Sequence, residues 1–481
     1  MMGDNVRSKA LSGVAWGMME KLSLQVFGFV QGVILARLLS PSDYGLIAMV
    51  GIFVLLSYTF VDAGFGTALI QKQDRTEKDY STVFVLNLSI SFVISLLLFL
   101  SAPLVADFYK EQLLIKIVRV YSLIIFFSSL VAIQDVRLSI YLEFKKKSVI
   151  NIATTILSGL FAIFMAFMGY GVWSLIIPQF VMLLTKCVFY WYFQHWFPKL
   201  SFSKHSCKEL FGFGSKILAS SILATIFENI YSLVIGKAFS AKALGFYSRA
   251  DGYANLPVKT ITGVIDSVTY PILSKYQNDD ELLLNAFRRM LRVAAYIVFP
   301  IMIGMAALAK PLVIVLVTDK WLPCVIYLQL LCFARMWWHV HVLNLNILKA
   351  KGHSDLFFRL EIIKKIIIII FLIASVPFGI MAICISSIGS AVLSMCINSY
   401  YTGKLLRFGM IRQMREMLPS ILYSLVMGGI VYISILFLSS MWVKLLVGTL
   451  VGMSSYILVS VVTKSQDLNY LLALVREKIR R

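Results

Sequence analysis

Apolar residues run along this chain in blocks of about 17 to 25 positions, separated by short polar clusters that hold most of the charge. A helix rises about 1.5 Å per residue, so about 20 apolar residues cover a hydrocarbon core about 30 Å thick. On that template the pattern predicts 14 membrane-spanning helices. The first six lie at approximately 14–36, 44–65, 82–106, 117–136, 149–168 and 171–193. The next six lie at 216–236, 247–270, 293–309, 325–348, 360–376 and 379–400, and a last pair at 418–438 and 441–462. The alternating strands of a barrel would be about half as long and far less apolar, so the expected class is an all-α polytopic membrane protein.

Composition strengthens that picture. Of 481 residues, 59% are hydrophobic and 14% charged, against about 25% charged in an ordinary soluble domain. A water-soluble enzyme is thereby excluded, and 34 Phe, 22 Tyr and 8 Trp exclude intrinsic disorder. The net charge of +21 comes from 45 Lys and Arg against 24 Asp and Glu. Sorted over the predicted spans, with a cytoplasmic N-terminus, 31 of the 45 fall on the cytoplasmic side, 10 on the other and four within spans. That bias predicts cytoplasmic N- and C-termini, and it reads the positive charge as membrane topology with no nucleic acid partner. The six cysteines form no CxxC and imply no disulfide framework, and the first apolar run reads as a retained span without a signal-peptide cleavage site.

A short repeat organises the chain. LARLLSPSDYGLI (35–47) aligns with IGKAFSAKALGFY (235–247) at an offset of 200, matching Arg37, Ser40 and Gly45 with Lys237, Ser240 and Gly245. The offset also maps span 1 on span 7 and span 2 on span 8. A shift of six spans, an even number, makes the expected architecture two parallel six-helix lobes, 1–198 and 216–403, joined by an amphipathic cytoplasmic linker, 199–215. The helix pair within 404–463 is appended, and residues 464–481 form a basic amphipathic cytoplasmic tail.

Ionisable residues at membrane depth are costly unless they face a partner or a hydrated cavity, so their spacing points to function. In span 8, Asp251, Asn255, Lys259, Thr262 and Asp266 recur every three or four positions and make one helix face polar from end to end. Span 7 repeats this more weakly with Ser221, Thr225, Glu228 and Ser232. Span 1 offers Lys21 and Gln25 on one face with Glu20 beside them, and span 10 offers Arg335, His339 and Asn346. These stripes predict a hydrated cavity between the lobes; interhelical ion pairs that merely hold the bundle together are the alternative. Glu228, Asp251 and Asp266 read equally as proton or sodium sites or as counter-ions to the bases. His339 and His341 lie two apart on different faces, so no helical metal pair forms, and no hydrolase, metalloprotease or nucleotide-binding motif occurs. No catalytic residue, metal or cofactor is expected.

Several of these strings resemble a known family. ARLLSPSDYGLIAM (36–49), VDAGFGTALIQKQDRTEKDYSTVFVLNL (61–88), GYGVWSLIIPQ (169–179) and IGKAFSAKALGFYSRADGYANLPV (235–258) are similar to Wzx-type polysaccharide exporters. These are lipid-linked oligosaccharide flippases of the multidrug/oligosaccharidyl-lipid/polysaccharide superfamily, and the likeness is to the branch serving colanic-acid-like and teichuronic-acid-like polymers. YPILSKYQND (270–279) and WLP (321–323) extend the resemblance over roughly residues 5–410. It implies a bacterial inner-membrane protein that carries a polyprenyl-pyrophosphate-linked oligosaccharide outward by alternating access, coupled to H+ or Na+, with a polymerase and a chain-length regulator as assembly partners. It also implies substrate-binding roles for the cavity bases Lys21, Lys259 and Arg335; Gln25 and Asn255 are the polar residues that spacing sets beside them, and Glu20, Glu228, Asp251 and Asp266 are the ion-coupling candidates among the acids of the stripes. One departure concerns span 7, where relatives often carry an acid at the position of Tyr231 and this chain has Glu228 one turn earlier. The competing readings are a drug/cation antiporter of the same superfamily, whose lumen would need a net acidic character, and a non-transporting scaffold or scramblase.

Overall fold

The computed structural model describes residues 2–62, 64–198 and 201–480, and every regular element among them is helical. The first nine helices are α1 (Met2–Leu38), α2 (Pro41–Asp62), α3 (Phe65–Gln71), α4 (Glu77–Tyr109), α5 (Leu113–Ile140), α6 (Phe144–Phe167), α7 (Trp173–Gln194), α8 (Lys204–Ala238) and α9 (Ala241–Lys275). The remainder are α10 (Asp280–Ala307), α11 (Ala309–Val317), α12 (Cys324–Arg335), α13 (Trp338–Ala350), α14 (Ser354–Ser375), α15 (Ile380–Leu406), α16 (Met410–Leu436), α17 (Met441–Val462) and α18 (Gln466–Arg480).

Among the described residues, eleven helices are long and apolar enough to cross a membrane. Three expected spans are helical yet fall outside that set, each for a visible reason. Span 247–270 lies in α9, whose polar stripe dilutes its hydropathy. Span 325–348 is two helices, α12 and α13, interrupted at Met336 and Trp337. Neither Pro nor Gly marks that break; Trp337 packs its ring edge-on against Phe299 with centroids 5.4 Å apart. Span 360–376 lies in α14, whose first half carries Asp355, Arg359, Glu361, Lys364 and Lys365.

The offset of 200 reappears in the backbone. α1 ends at Leu38 and α8 at Ala238, while α2 begins at Pro41 and α9 at Ala241. Both serines of the repeat act as N-caps: Ser40 Oγ accepts from the Asp43 amide at 3.3 Å, and Ser240 Oγ from the Ala243 amide at 3.2 Å. A side chain in place of either glycine would collide with the other copy. A Cβ on Gly45 would lie 1.7 Å from the Ala241 carbonyl oxygen, and one on Gly245 would lie 1.8 Å from that of Pro41.

Two compact units divide the chain, Met1–Gly245 and Phe246–Arg481. In the first, α1 packs along α6, α6 on α7, α7 on α5, α5 on α4, and α2 against α8. Its core gathers Phe65, Leu69, Tyr80, Phe84 and Trp196. In the second, α10 packs on α16, α16 on α17, and α12, α13 and α14 against α15. Small residues bring α16 and α17 close to their neighbours: a Cβ on Gly448 would lie 2.5 Å from Leu308 Cδ2, and one on Gly428 would lie 2.7 Å from Ile303 Cγ2. Tyr296 Oη donates to Ser460 Oγ at 2.8 Å, tying α10 to α17.

The expected tail helix is α18, and its first turn docks on α10: Arg292 donates to Gln466 Oε1 at 3.1 Å and approaches Asp467 Oδ1 at 3.5 Å. Burial pushes the Asp467 carboxyl up from its usual range; Arg292 opposes the rise and Glu416 adds to it. A carboxyl raised in the docked state holds its proton more tightly there than in the free tail. Docking is therefore strongest below the ordinary carboxylate pKa and weakens as pH rises through the raised value. Amide exchange over 466–473, corrected for intrinsic rates, is expected to be slower at pH 4 than at pH 7, and Asp467→Asn to flatten that difference.

Candidate functional site

The polar stripe of α9 meets the α12–α13 pair at two rungs. Arg335, the last residue of α12, donates to Asp251 Oδ1 from Nη2 at 2.7 Å and from Nε at 3.2 Å. Further on, Asn346 Nδ2 of α13 donates to Asp266 Oδ1 at 2.7 Å. Residue numbers rise together from rung to rung, so these helices run parallel. Between the rungs lies Lys259, exposed, with no ion pair among the described residues. Seven residues separate it from Asp266 and eight from Asp251, roughly 10 and 12 Å along the axis, too far for either acid to neutralise it. Asn255 is half-buried one turn before Lys259, and Thr262 is buried. His339 does not join the stripe: it is fully buried, packed edge-on against Phe299 at 5.3 Å. The break at Met336 and Trp337 shifts the helical phase between Arg335 and His339, which spacing along an unbroken helix does not anticipate.

A second polar network lies in the first unit and joins four helices. Glu20 of α1 accepts from Ser148 Oγ at 2.6 Å and Asn151 Nδ2 at 2.8 Å, both on α6. Tyr190 Oη of α7 lies 3.5 Å from Asn151 Oδ1 and donates to Asp135 Oδ1 of α5 at 2.8 Å. Lys147 Nζ completes the chain, donating to Asp135 Oδ2 at 2.6 Å and to Ser139 Oγ at 2.9 Å. Lys186 of α7 stands within electrostatic range of both Asp135 and Glu20 and makes no ion pair among the described residues. Two carboxylates are thus bridged by hydroxyl and amide groups that can both donate and accept, the chemistry needed to hold or pass a proton or small cation.

Of the expected site residues, Asp251 and Arg335 pair in the second unit, Asp266 is engaged by Asn346 further along α9, Lys259 and Asn255 lie on the same stripe, and Glu20 anchors the network in the first. Lys21 and Glu228 are exposed and make no ion pair among the described residues, and Gln25 is half-buried. Asp135, Asn151, Lys186 and Tyr190 were not singled out by spacing. Lys186 carried a signal, as one of the four basic residues counted within spans; Asp135 and Lys147 sit at span ends, where charge is ordinary.

The second unit contains a further buried polar cluster: Asn344 and Gln413 exchange two amide hydrogen bonds of 2.9 Å, Asn398 Nδ2 lies 3.3 Å from His341 Nδ1, and buried Lys364 pairs with Glu361. An apolar groove of about 420 Å³ opens nearby among α10, α11, α16 and α17, lined by Pro300, Gly304, Leu312, Met427, Leu445 and Tyr456.

The profile of a family described as polysaccharide biosynthesis proteins matches residues 34–326, well over half of the chain. The chain belongs to that family. Within it, the chain is 26% identical to the teichuronic acid biosynthesis protein TuaB of Bacillus subtilis, over 74% of each chain. It is 25% identical to the lipopolysaccharide biosynthesis protein WzxC of Escherichia coli, over 76% of this chain and 75% of that one. Among solved structures, the lipid II flippase MurJ in an inward closed conformation superposes with a TM-score of 0.73 at 15% identity, covering 94% of this chain and 98% of MurJ. An inward-facing multidrug-resistance transporter of the MATE family superposes with a TM-score of 0.61 at 12% identity, covering 80% of this chain and 96% of that one. The family member described here is a multi-pass membrane protein whose fold is that of these transporters.

Proposed function

We propose that this family member is a flippase that moves polyprenyl-pyrophosphate-linked oligosaccharide repeat units across the bacterial inner membrane by alternating access, driven by a proton or sodium gradient. The observation that carries this reading is the α9 stripe, on which Lys259, with no ion pair among the described residues, stands between two acids that are already engaged. An uncompensated cation at membrane depth calls for an anionic ligand, and a pyrophosphate is a strong one. Lys259 and Arg335, with Asn255 and, from α1, Lys21 and Gln25, are the groups assigned to the pyrophosphate and sugar. Asp251 then acts as the counter-ion that holds Arg335 in place, while Asp266 is engaged by Asn346 and holds no base. Glu20, bridged to Asp135 through Asn151 and Tyr190, is the favoured carboxylate for ion coupling, and Glu228 a lesser one. The architecture that goes with this reading has 14 spans in two six-helix lobes and an appended pair, with both termini cytoplasmic, as the Lys and Arg distribution supports. The names of the curated relatives, which concern teichuronic acid and lipopolysaccharide biosynthesis, support a polysaccharide precursor as cargo; a polymerase and a chain-length regulator are the assembly partners proposed with it.

The test is transfer of a fluorescent polyprenyl-pyrophosphate oligosaccharide between leaflets of liposomes holding the purified protein, read with an impermeant quencher, with and without imposed gradients. Gradient-stimulated transfer is expected, falling about 10- to 100-fold in Lys259→Ala, the loss that follows from removing one charged hydrogen-bond donor of roughly 1.5–3 kcal/mol. Transport of organic cations with no movement of the lipid would replace this reading with a drug antiporter. Equal transfer by wild type and Lys259→Ala without a gradient would replace it with a scramblase.

A further inference from the structure

At the turn between α15 and α16 lies an open pocket of about 680 Å³. Three cations line it, Lys404, Arg407 and Arg412, and no acid does. Neither Lys404 nor Arg407 makes an ion pair among the described residues, and the hydrogen bond recorded for the Arg412 guanidinium goes to a backbone group, the Arg407 carbonyl, at 2.6 Å. The nearest acid along α16, Glu416, is engaged by Arg288 and Arg292. The mouth of the pocket is apolar and open: Tyr400 is 66% exposed and Ile411 is 86% exposed.

The turn that forms this pocket is built to hold its shape. Gly403 and Gly409 approach so closely that a Cβ on Gly403 would lie 2.9 Å from Gly409 Cα. Arg407 caps α15 in the left-handed region at φ 53°, and Phe408 is buried edge-on against Phe287 at 5.9 Å. Gln413 Nε2 donates to the Phe408 carbonyl at 3.0 Å. Both flanking helices are long and apolar enough to cross a membrane, so a turn of only three residues between them lies at a membrane face. The distribution of Lys and Arg assigns that face to the cytoplasm, whose leaflet carries anionic lipid.

We propose that this pocket binds the headgroup of an anionic phospholipid, its phosphate held among Lys404, Arg407 and Arg412 and its acyl chains leaving past Tyr400 and Ile411. Guanidinium forks match phosphate oxygens in pairs, and the apolar rim continues into the hydrocarbon boundary, so one ligand satisfies both halves of the site. This role is separate from transport of the sugar lipid and does not rest on it.

The full-length protein, purified and delipidated, is titrated with phosphatidylglycerol, phosphatidylcholine, inorganic phosphate or polyprenyl diphosphate while bound lipid is counted by native mass spectrometry and melting is followed by tryptophan fluorescence. Phosphatidylglycerol is expected to bind and raise the melting temperature; phosphatidylcholine and free phosphate at matched concentration are not. The double variant K404Q/R407Q is expected to weaken phosphatidylglycerol binding about 30-fold, from the loss of two interfacial cations. K404R, which keeps the charge, should retain binding, as should R415Q, which removes an exposed cation of α16 outside the pocket. Unchanged affinity in K404Q/R407Q overturns the proposal, and so does an equal loss in R415Q, which would make the effect one of general surface charge. Binding of polyprenyl diphosphate that phosphatidylglycerol cannot displace would also overturn it, assigning the pocket to the transported lipid instead.

Discussion

Arg335→Ala is expected to abolish lipid transport and to destabilise the second unit, whereas Asp251→Ala/Arg335→Ala is expected to regain much of the stability and none of the transport. The guanidinium meets Asp251 Oδ1 twice, at 2.7 and 3.2 Å, where α12 ends. Removing one partner of a fully buried ion pair costs about 3–5 kcal/mol, because the other charge is left without compensation. Here the side chains are 28% and 27% exposed, so hydration recovers part of that and about 1–3 kcal/mol is expected for the single variant. Deleting both charges removes the orphan, so the double variant should melt closer to wild type. Transport needs the cation itself, so it stays lost. Melting of the purified variants beside the liposome assay separates the two roles; if wild type, single and double variants all melt alike, the pair contributes nothing to stability. Arg335→Ala transporting at the wild-type rate would remove this arginine from the substrate site.

The α9 stripe was legible from spacing because all its members belong to one continuous helix, and the structure engages its two acids with the two span-10 residues, Arg335 and Asn346, that the same reasoning named. The repeat was legible too: Ser40 and Ser240 cap α2 and α9 at the expected offset. What escaped lies across helices far apart in sequence. Glu20 was marked, yet its partners Ser148 and Asn151 stand 128 and 131 residues away, and no periodicity within one helix reports them. Lys364 and Glu361 were not singled out, standing in a charged stretch of α14 with Asp355, Arg359 and Lys365; the packing of α14 against α13 and α15 leaves Lys364 buried. His339 is buried away from the stripe, whereas Asn346, on the same helix α13 across the same break, reaches Asp266.

Gly45→Val and Gly245→Val are expected to be as damaging as loss of a charged site residue, without touching any charge. At each position the obstacle is a backbone carbonyl oxygen, 1.7 Å from a Cβ on Gly45 and 1.8 Å from one on Gly245. A backbone group has no rotamer to escape into, so the first turns of α2 and α9 must part by more than about 1 Å to admit even a methyl group. Overpacking of that kind costs roughly 1–3 kcal/mol for alanine and more for a branched side chain. The contact is reciprocal under the offset of 200, Gly45 on Ala241 and Gly245 on Pro41, as in an isologous interface where each copy presents the same patch to the other. Either glycine, when enlarged, suffices to hold the contact apart. Hydrogen exchange at 41–48 and 241–248 should therefore rise in both segments for either variant, and gradient-driven lipid transfer should fall at least tenfold if closing this contact is a step of the cycle. Faster exchange confined to the mutated segment would show that the two turns do not depend on each other. Wild-type exchange and transfer in both variants would show that the working protein never closes this contact.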